Sequence, residues 1–191
     1  MNTMNFTKRI IGIVGTQGAG KDTAARFFES HGFVHFSLSD IVRDETEKLG
    51  LEHNRDNWRN TADALRAEHG NDVIAKKMVQ KLAEVDDENI VITSFRHPGE
   101  VDILRNAYSD LELIGIDAPI EMRYERITGR GKKADKVTFE EFKTQEEKEN
   151  VTEGVGMRLR EVMERVDILI QNDGLEDDFY SELNSIIESH G

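Results

Sequence analysis

Residues 15 to 23 read Gly15-Thr16-Gln17-Gly18-Ala19-Gly20-Lys21-Asp22-Thr23. The spacing GxxxxGK sets glycines and a lysine as a phosphate cradle requires. Glycines let the backbone approach a polyphosphate, successive N–H groups point inward, and the positive end of the following helix adds to the attraction. Lys21 supplies a point charge for the β- and γ-phosphates. A turn that merely joins strand to helix would need neither the lysine nor the full spacing. Where a hydroxyl ordinarily holds magnesium, this chain has Asp22. A carboxylate beside three phosphates is unfavourable unless a cation stands between them, and magnesium takes oxygen ligands. Asp22 therefore reads in two ways: as a magnesium ligand, direct or through water with Thr23 beside it, or as a first-turn acid that complements the helix dipole.

Further along, "EMRYERITGRGKK" (121–133) is a basic cluster in an acidic chain. At about 100° per residue, Arg123, Arg126 and Arg130 share a helix face. Guanidinium groups suit phosphate oxygens through their planar fork; the alternative is a solvated face paired with Glu121 and Glu125. Asp40, in "SLSD", is expected at the end of a strand, where it accepts a proton from an attacking hydroxyl, orients an acceptor or caps a helix. Arg96, in "SFRHPGE", is a candidate grip for a substrate phosphate, with an ion pair to Glu100 as the alternative. Arg43, Arg55 and Arg59 lie in a charged stretch where surface roles compete; Arg43 joins Asp40 and Arg96 as a substrate-side candidate. Trp58 and the six histidines show no metal-ligand spacing and are assigned to packing or surface.

The elements that must position these groups follow from hydrophobic patterning. "RIIGIVG" (9–15) is a β-branched run that breaks at glycine and leads into the helix-like "AARFFESHG". "FVHFSLSD" (33–40) reads as a second strand, "NIVITSF" (89–95) as a third, "ELIGIDA" (112–118) as a fourth and "VDILIQN" (166–172) as a fifth. Helical patterning lies within 41–87 and near 99–108, 119–130, 139–163 and 176–188. Short apolar strands separated by crossover helices predict a mostly parallel sheet covered on both faces. In such sheets ligands sit at the carboxyl ends of the strands, so Gly15 onward, Asp40, Arg96 and Asn172 are expected to converge there.

The chain has 191 residues, with 25 Lys and Arg against 38 Asp and Glu, a net charge of −13. The length suits one domain, and the charge argues against general nucleic-acid or anionic-membrane binding. Without cysteine there is no disulfide, zinc-thiolate site or cysteine nucleophile, which suits a reducing compartment. The opening apolar run is too short for a secretion signal, and none approaches the roughly 20 residues of a membrane span. A cytoplasmic location is expected. No motif bears on oligomeric state.

Taken together, the phosphate loop, "SLSD", "RYERITGRG" and "VDILIQNDG" resemble the P-loop nucleotide kinase superfamily, and within it the branch of dephospho-coenzyme A kinases and phage-type deoxynucleoside monophosphate kinases. Several members of that branch carry GKDT, so Asp22 is a family-style variant. The resemblance implies an α/β, P-loop NTPase-type three-layer αβα fold, with a five-stranded mostly parallel sheet and a helical lid, in one domain over 1–191. It implies a donor site for ATP and Mg2+ at Gly15, Gly18, Ala19, Gly20, Lys21, Asp22 and Thr23, with Asp22 on the metal and Asn172 beside the adenine. Asp40 would lie near the acceptor, Arg126 and Arg130 at the start of a lid over about 129–154, and the acceptor-binding region at about 41–87. "RHPGE" resembles the "RxPxE"-like stretches of such kinases. The third strand departs from the pattern by ending in "VITSF" without the acid that many relatives keep as a second magnesium anchor. The implied activity is ATP-dependent phosphoryl transfer to a small nucleotide or nucleotide-like acceptor, first a nucleoside monophosphate and second dephospho-coenzyme A. A P-loop binding or regulatory protein with little kinase activity is the alternative from another class.

Overall fold

The computed structural model describes residues 8–129, 137–149 and 158–189. Five strands, β1 (Arg9–Gly15), β2 (Val34–Ser37), β3 (Asn89–Thr93), β4 (Glu112–Asp117) and β5 (Ile168–Gln171), form one sheet in the order β2-β3-β1-β4-β5. All four pairings are parallel, with Gly12 level with Ile92 on one side and Leu113 on the other. β1 is central and covered on both faces, which explains why its sequence is an unbroken apolar run. Its side chains divide between two cores. Ile10 and Val14 join Ile90, Ile92 and Leu113 on one face; Ile11 and Ile13 join Val91, Ile114 and Ile116 on the other.

The second of these cores is completed by α1 (Lys21–Ser30) and α9 (Glu176–Glu188), through Phe28, Phe179 and Leu183. The first is completed by α2 (Leu38–Lys48), α3 (Arg55–His69), α4 (Val73–Ala83), α5 (Pro98–Ala107) and α8 (Leu159–Met163). The result is three layers, helices on either side of a parallel sheet. The remaining helices, α6 (Ile120–Gly129) and α7 (Phe139–Glu149), pack on one another. Among the described residues no helix is long and apolar enough to cross a membrane.

The third, fourth and fifth strands end one or two residues inside the ranges read from sequence, and two larger differences bear on the site. The second strand stops at Ser37, because Leu38, Ile41 and Val42 bury at helical spacing and draw 38–40 into the first turn of α2. Asp40 is thus a first-turn residue, neither a strand end nor the cap, whose position belongs to Ser37. The helical pattern over 139–163 divides into α7 and α8, with 150–157 outside the described residues.

Candidate phosphate-binding site

β1 delivers its last residue, Gly15, against β4 so closely that a Cβ there would lie 2.1 Å from the Ile116 carbonyl oxygen. Gly18 and Gly20 turn the chain through left-handed conformations, φ 82° and 116°, which glycine adopts without strain. Lys21 then opens α1, and its ammonium donates to the Thr16 carbonyl at 2.7 Å across the loop. Gly20 takes the N-cap position of α1 without a side-chain cap, so the helix start presents backbone donors as an anion site requires. Ala19 is fully buried, Asp22 is exposed in the first turn and Thr23 is half-buried.

Asn172, just beyond β5, closes the loop from the far side. Its Nδ2 donates to the Ala19 carbonyl at 2.7 Å, and its own carbonyl accepts from the Arg126 guanidinium at 2.8 Å. The loop, Asn172 and Arg126 are therefore one assembly. The second terminal nitrogen of Arg126 is buried without a hydrogen-bond partner.

Arg123 corrects the expectation of three arginines presented on a common face. It is buried, donating through Nε to the Ala118 carbonyl at 2.8 Å and through a terminal nitrogen to the Gln17 carbonyl at 3.4 Å. Its other terminal nitrogen pairs with Glu146 at 2.8 Å. The residue lies behind the loop, where helical phase alone could not put it. Asp117, at the end of β4, also escaped the sequence reading: it accepts from the Thr16 hydroxyl at 2.6 Å and from the Ala118 N–H at 2.9 Å. Its only sequence signal is an acid ending an apolar strand before Ala-Pro.

On the other side of β1, the ends of β2 and β3 meet through three hydroxyls. Ser37 lies 2.7 Å from Ser39 and 2.8 Å from Ser94, and Ser39 donates to Ser94 at 3.1 Å. Ser94 occupies the position after β3 where the acid was missed, and it has φ 70°, the only positive value at a non-glycine among the described residues. Arg96 follows and is exposed. In place of the Arg96–Glu100 ion pair offered as the alternative, the buried Glu100 carboxylate accepts the backbone N–H of Arg96 at 2.7 Å and of His97 at 3.0 Å, and faces Arg66 at 3.5 Å. Burial pushes the Glu100 carboxyl above its ordinary range, against those N–H donors and Arg66. His97 is 1% exposed with neither ring nitrogen hydrogen-bonded. Burial first, then the charges of Arg66, Arg158 and Arg96, push it down to about 4.

Asp40 and Arg43 form an ion pair with each other, and the Arg43 guanidinium lies 5.1 Å from the centre of the Trp58 ring. Of the expected lid, Arg130 and residues 131–136 and 150–154 lie outside the described residues. The part that is described, α7, is docked on α6: Phe142 is 2% exposed beside Tyr124, whose hydroxyl donates to the Val137 carbonyl at 3.0 Å. Among the described residues no three His, Cys, Asp or Glu side chains form a metal cluster. The carboxylate of Asp22, in the first turn of α1 beside the loop, is an oxygen donor of the kind that fits magnesium, which keeps most of its waters and takes few protein oxygens beside phosphates.

Residues 11–154 match the family model of an AAA domain. A UPF0200/UPF0201 protein of Archaeoglobus fulgidus is 33% identical over 187 residues, covering 96% of this chain and 56% of that protein, so the chain spans little more than half of that relative. A UPF0200 protein of Thermococcus onnurineus is 32% identical over 183 residues, 94% of this chain and 96% of the relative. Among solved structures, TT1252 from Thermus thermophilus superposes with a TM-score of 0.62 at 19% identity, covering 95% of this chain and 97% of that one. A gluconokinase from Sinorhizobium meliloti 1021 does so with 0.54 at 15%, covering 96% and 95%. At these identities the likeness is one of fold, and the fold is P-loop kinase-like. The chain belongs to the AAA domain family and to the UPF0200 proteins.

Proposed function

We propose that the protein is an ATP-dependent phosphotransferase acting on a small nucleotide or nucleotide-like acceptor, in the manner of the deoxynucleoside monophosphate kinases, within a single domain. The observation that carries this reading is the loop itself: two left-handed glycines, Lys21 folded across it and an uncapped helix start behind it. Gly15, Gly18, Ala19, Gly20, Lys21 and Thr23 hold the donor phosphates, and Asn172 lines the donor side. Lys21, Arg126 and Arg130 meet the charge on the transferring group, so catalysis is mainly positioning and neutralisation. Asp22 and Thr23 would hold magnesium, which would supply positive charge to offset that of the phosphates.

On the acceptor side, Asp40, Arg43 and Arg96 bind and orient the substrate within the region 41–87 and the loop after β3. The Asp40–Arg43 pair favours a monophosphate acceptor over a hydroxyl. A phosphate oxygen needs no general base, whereas a hydroxyl calls on a carboxylate that this pairing already engages. Dephospho-coenzyme A is the second reading, supported by an acid close after the second strand. The alternative from another class is a nucleotide-dependent binding protein with little transfer.

ATP, magnesium and a panel of nucleoside monophosphates and dephospho-coenzyme A in a coupled assay test this directly. Turnover on a monophosphate, with Asp40→Asn acting mainly on its KM, is the expected result. Turnover on dephospho-coenzyme A, with a loss of about 10²-fold in kcat for Asp40→Asn, would favour the second reading. ATP binding without transfer to any acceptor would leave the binding protein. A magnesium titration of Asp22→Asn tests the metal role: a raised requirement supports it, and a curve superimposed on wild type returns Asp22 to the helix dipole.

A further inference from the structure

Four interactions converge on one buried side chain. Arg123 is 5% exposed, and its guanidinium reaches the Gln17 carbonyl of the phosphate loop, the Ala118 carbonyl after β4, the Asp117 carboxylate at 3.8 Å and both carboxylate oxygens of Glu146 on α7, at 2.8 and 3.1 Å. The Arg123 ring contact is with Phe142, the buried anchor of α7, at 5.9 Å. Its backbone is equally committed, since a Cβ on Gly18 would meet the Arg123 carbonyl oxygen at 2.7 Å. From there the network runs on: Asp117 accepts the Thr16 hydroxyl, and the Thr16 carbonyl accepts the Lys21 ammonium. A continuous path of hydrogen bonds and ion pairs thus joins α7 to Lys21.

We propose that Arg123 is a positioning residue through which α7 sets the shape of the phosphate loop, so that docking of α7 and binding of a polyphosphate are thermodynamically coupled. The proposal rests on the reading of the loop as a nucleotide site. A guanidinium is suited to the task because its five N–H donors lie in one plane with fixed directions and serve several acceptors at once. Gln17 lies in the turn between Gly15, the last residue of β1, and the left-handed Gly18, outside both β1 and α1. With Glu146 in place, the guanidinium is oriented and its remaining donors are aimed at Gln17 and Ala118. Without it, a buried cation loses its closest counter-charge and must rearrange, and the loop carbonyl rearranges with it. Linkage makes the effect reciprocal: whatever α7 does for the loop, a ligand in the loop does for α7.

The test uses Glu146→Gln, which leaves every loop residue intact, with Arg123→Lys as the second variant and the exposed Glu147→Gln as a charge control. ATP affinity is measured by calorimetry well below the melting temperature, and amide hydrogen exchange is followed over 139–149 with and without ATP. Wild type is expected to show slowed exchange in α7 on adding ATP. Glu146→Gln and Arg123→Lys are expected to bind ATP about fivefold or more weakly, with that slowing reduced, while Glu147→Gln matches wild type. A purely structural arginine would lower the melting temperature and leave ATP affinity and its exchange signature unchanged, which overturns the proposal. So does an equal loss in Glu147→Gln, or affinity in Glu146→Gln equal to or tighter than wild type. Wild type that binds neither ATP nor pyrophosphate overturns the nucleotide reading and the coupling together; binding without dependence on Glu146 overturns the coupling alone.

Discussion

The two sides of β1 are built on different principles. Toward β4 and β5, the loop from Gly15 to Lys21 is fixed by its backbone: glycine where a methyl group would strike Ile116, Arg123 or Asn172, and side chains that bind carbonyl oxygens. Toward β2 and β3, the candidate acceptor side is made of side chains that satisfy one another: three serine hydroxyls, Asp40 with Arg43, Glu100 with Arg66. A backbone cradle serves any polyphosphate and requires a fixed sequence. A side-chain site can be rebuilt for another substrate while the sheet beneath it stays the same.

That contrast can be broken by experiment, beginning with the largest effect. Lys21→Ala is expected to lower phosphoryl transfer by about 10³-fold while leaving the fold and its melting temperature near wild type, the outcome that follows if its charge serves the reacting group as proposed. A full loss of folding would show instead that the loop is also structural. Glu100→Ala should do the converse and destabilise the chain by about 3–5 kcal/mol in denaturant unfolding, because it strands buried Arg66 and two N–H donors. A loss under 1 kcal/mol would mean the acceptor-side cluster is replaceable.

Acid comes next. His97 has its ordinary pKa unfolded and about 4 folded, so between those values the unfolded chain binds more protons. Stability is then expected to fall as pH drops from about 6.5 towards 4. Glu100, pushed upward, acts in the opposite sense near its own titration, so the comparison is made with His97→Gln. The melting temperature of that variant should decline less than that of wild type between pH 7 and 4.5, and parallel curves would remove His97 from the account. The smallest effect concerns Ser94. Both Ser94→Gly and Ser94→Ala delete the hydroxyl, but only glycine relieves the left-handed backbone, so the glycine variant should be the more stable by about 1 kcal/mol. Equal stabilities would show that φ 70° carries no strain.

What was legible in the sequence follows the same division. Strand β1, the loop and α1 could be read because local rules fix them: a buried β-branched run, glycines at set spacing, then helix. The five strands and their order of helices were legible for the same reason. Asp40 was misplaced because a strand-like "FVHFSLSD" conceals a helix start whose burial is decided by α3 and α4. Arg123 was grouped with Arg126 because helical phase gives a face but not what the face meets; β4 and α7, distant in sequence, turn it inward. The backbone of Ser94 and the partners of Glu100 were illegible because a left-handed φ at serine and a carboxylate serving backbone N–H groups leave no pattern in composition or spacing.

The clearance between Gly15 and Ile116 fixes what position 15 can be. With 2.1 Å between the Ile116 oxygen and the place where a Cβ would stand, any side chain there would have to push β1 and β4 apart. β4 is held in the sheet by neighbours on both sides, so the sheet as a whole resists that displacement. The first glycine of the loop is thus demanded by strand pairing itself, and would be demanded were no anion ever bound.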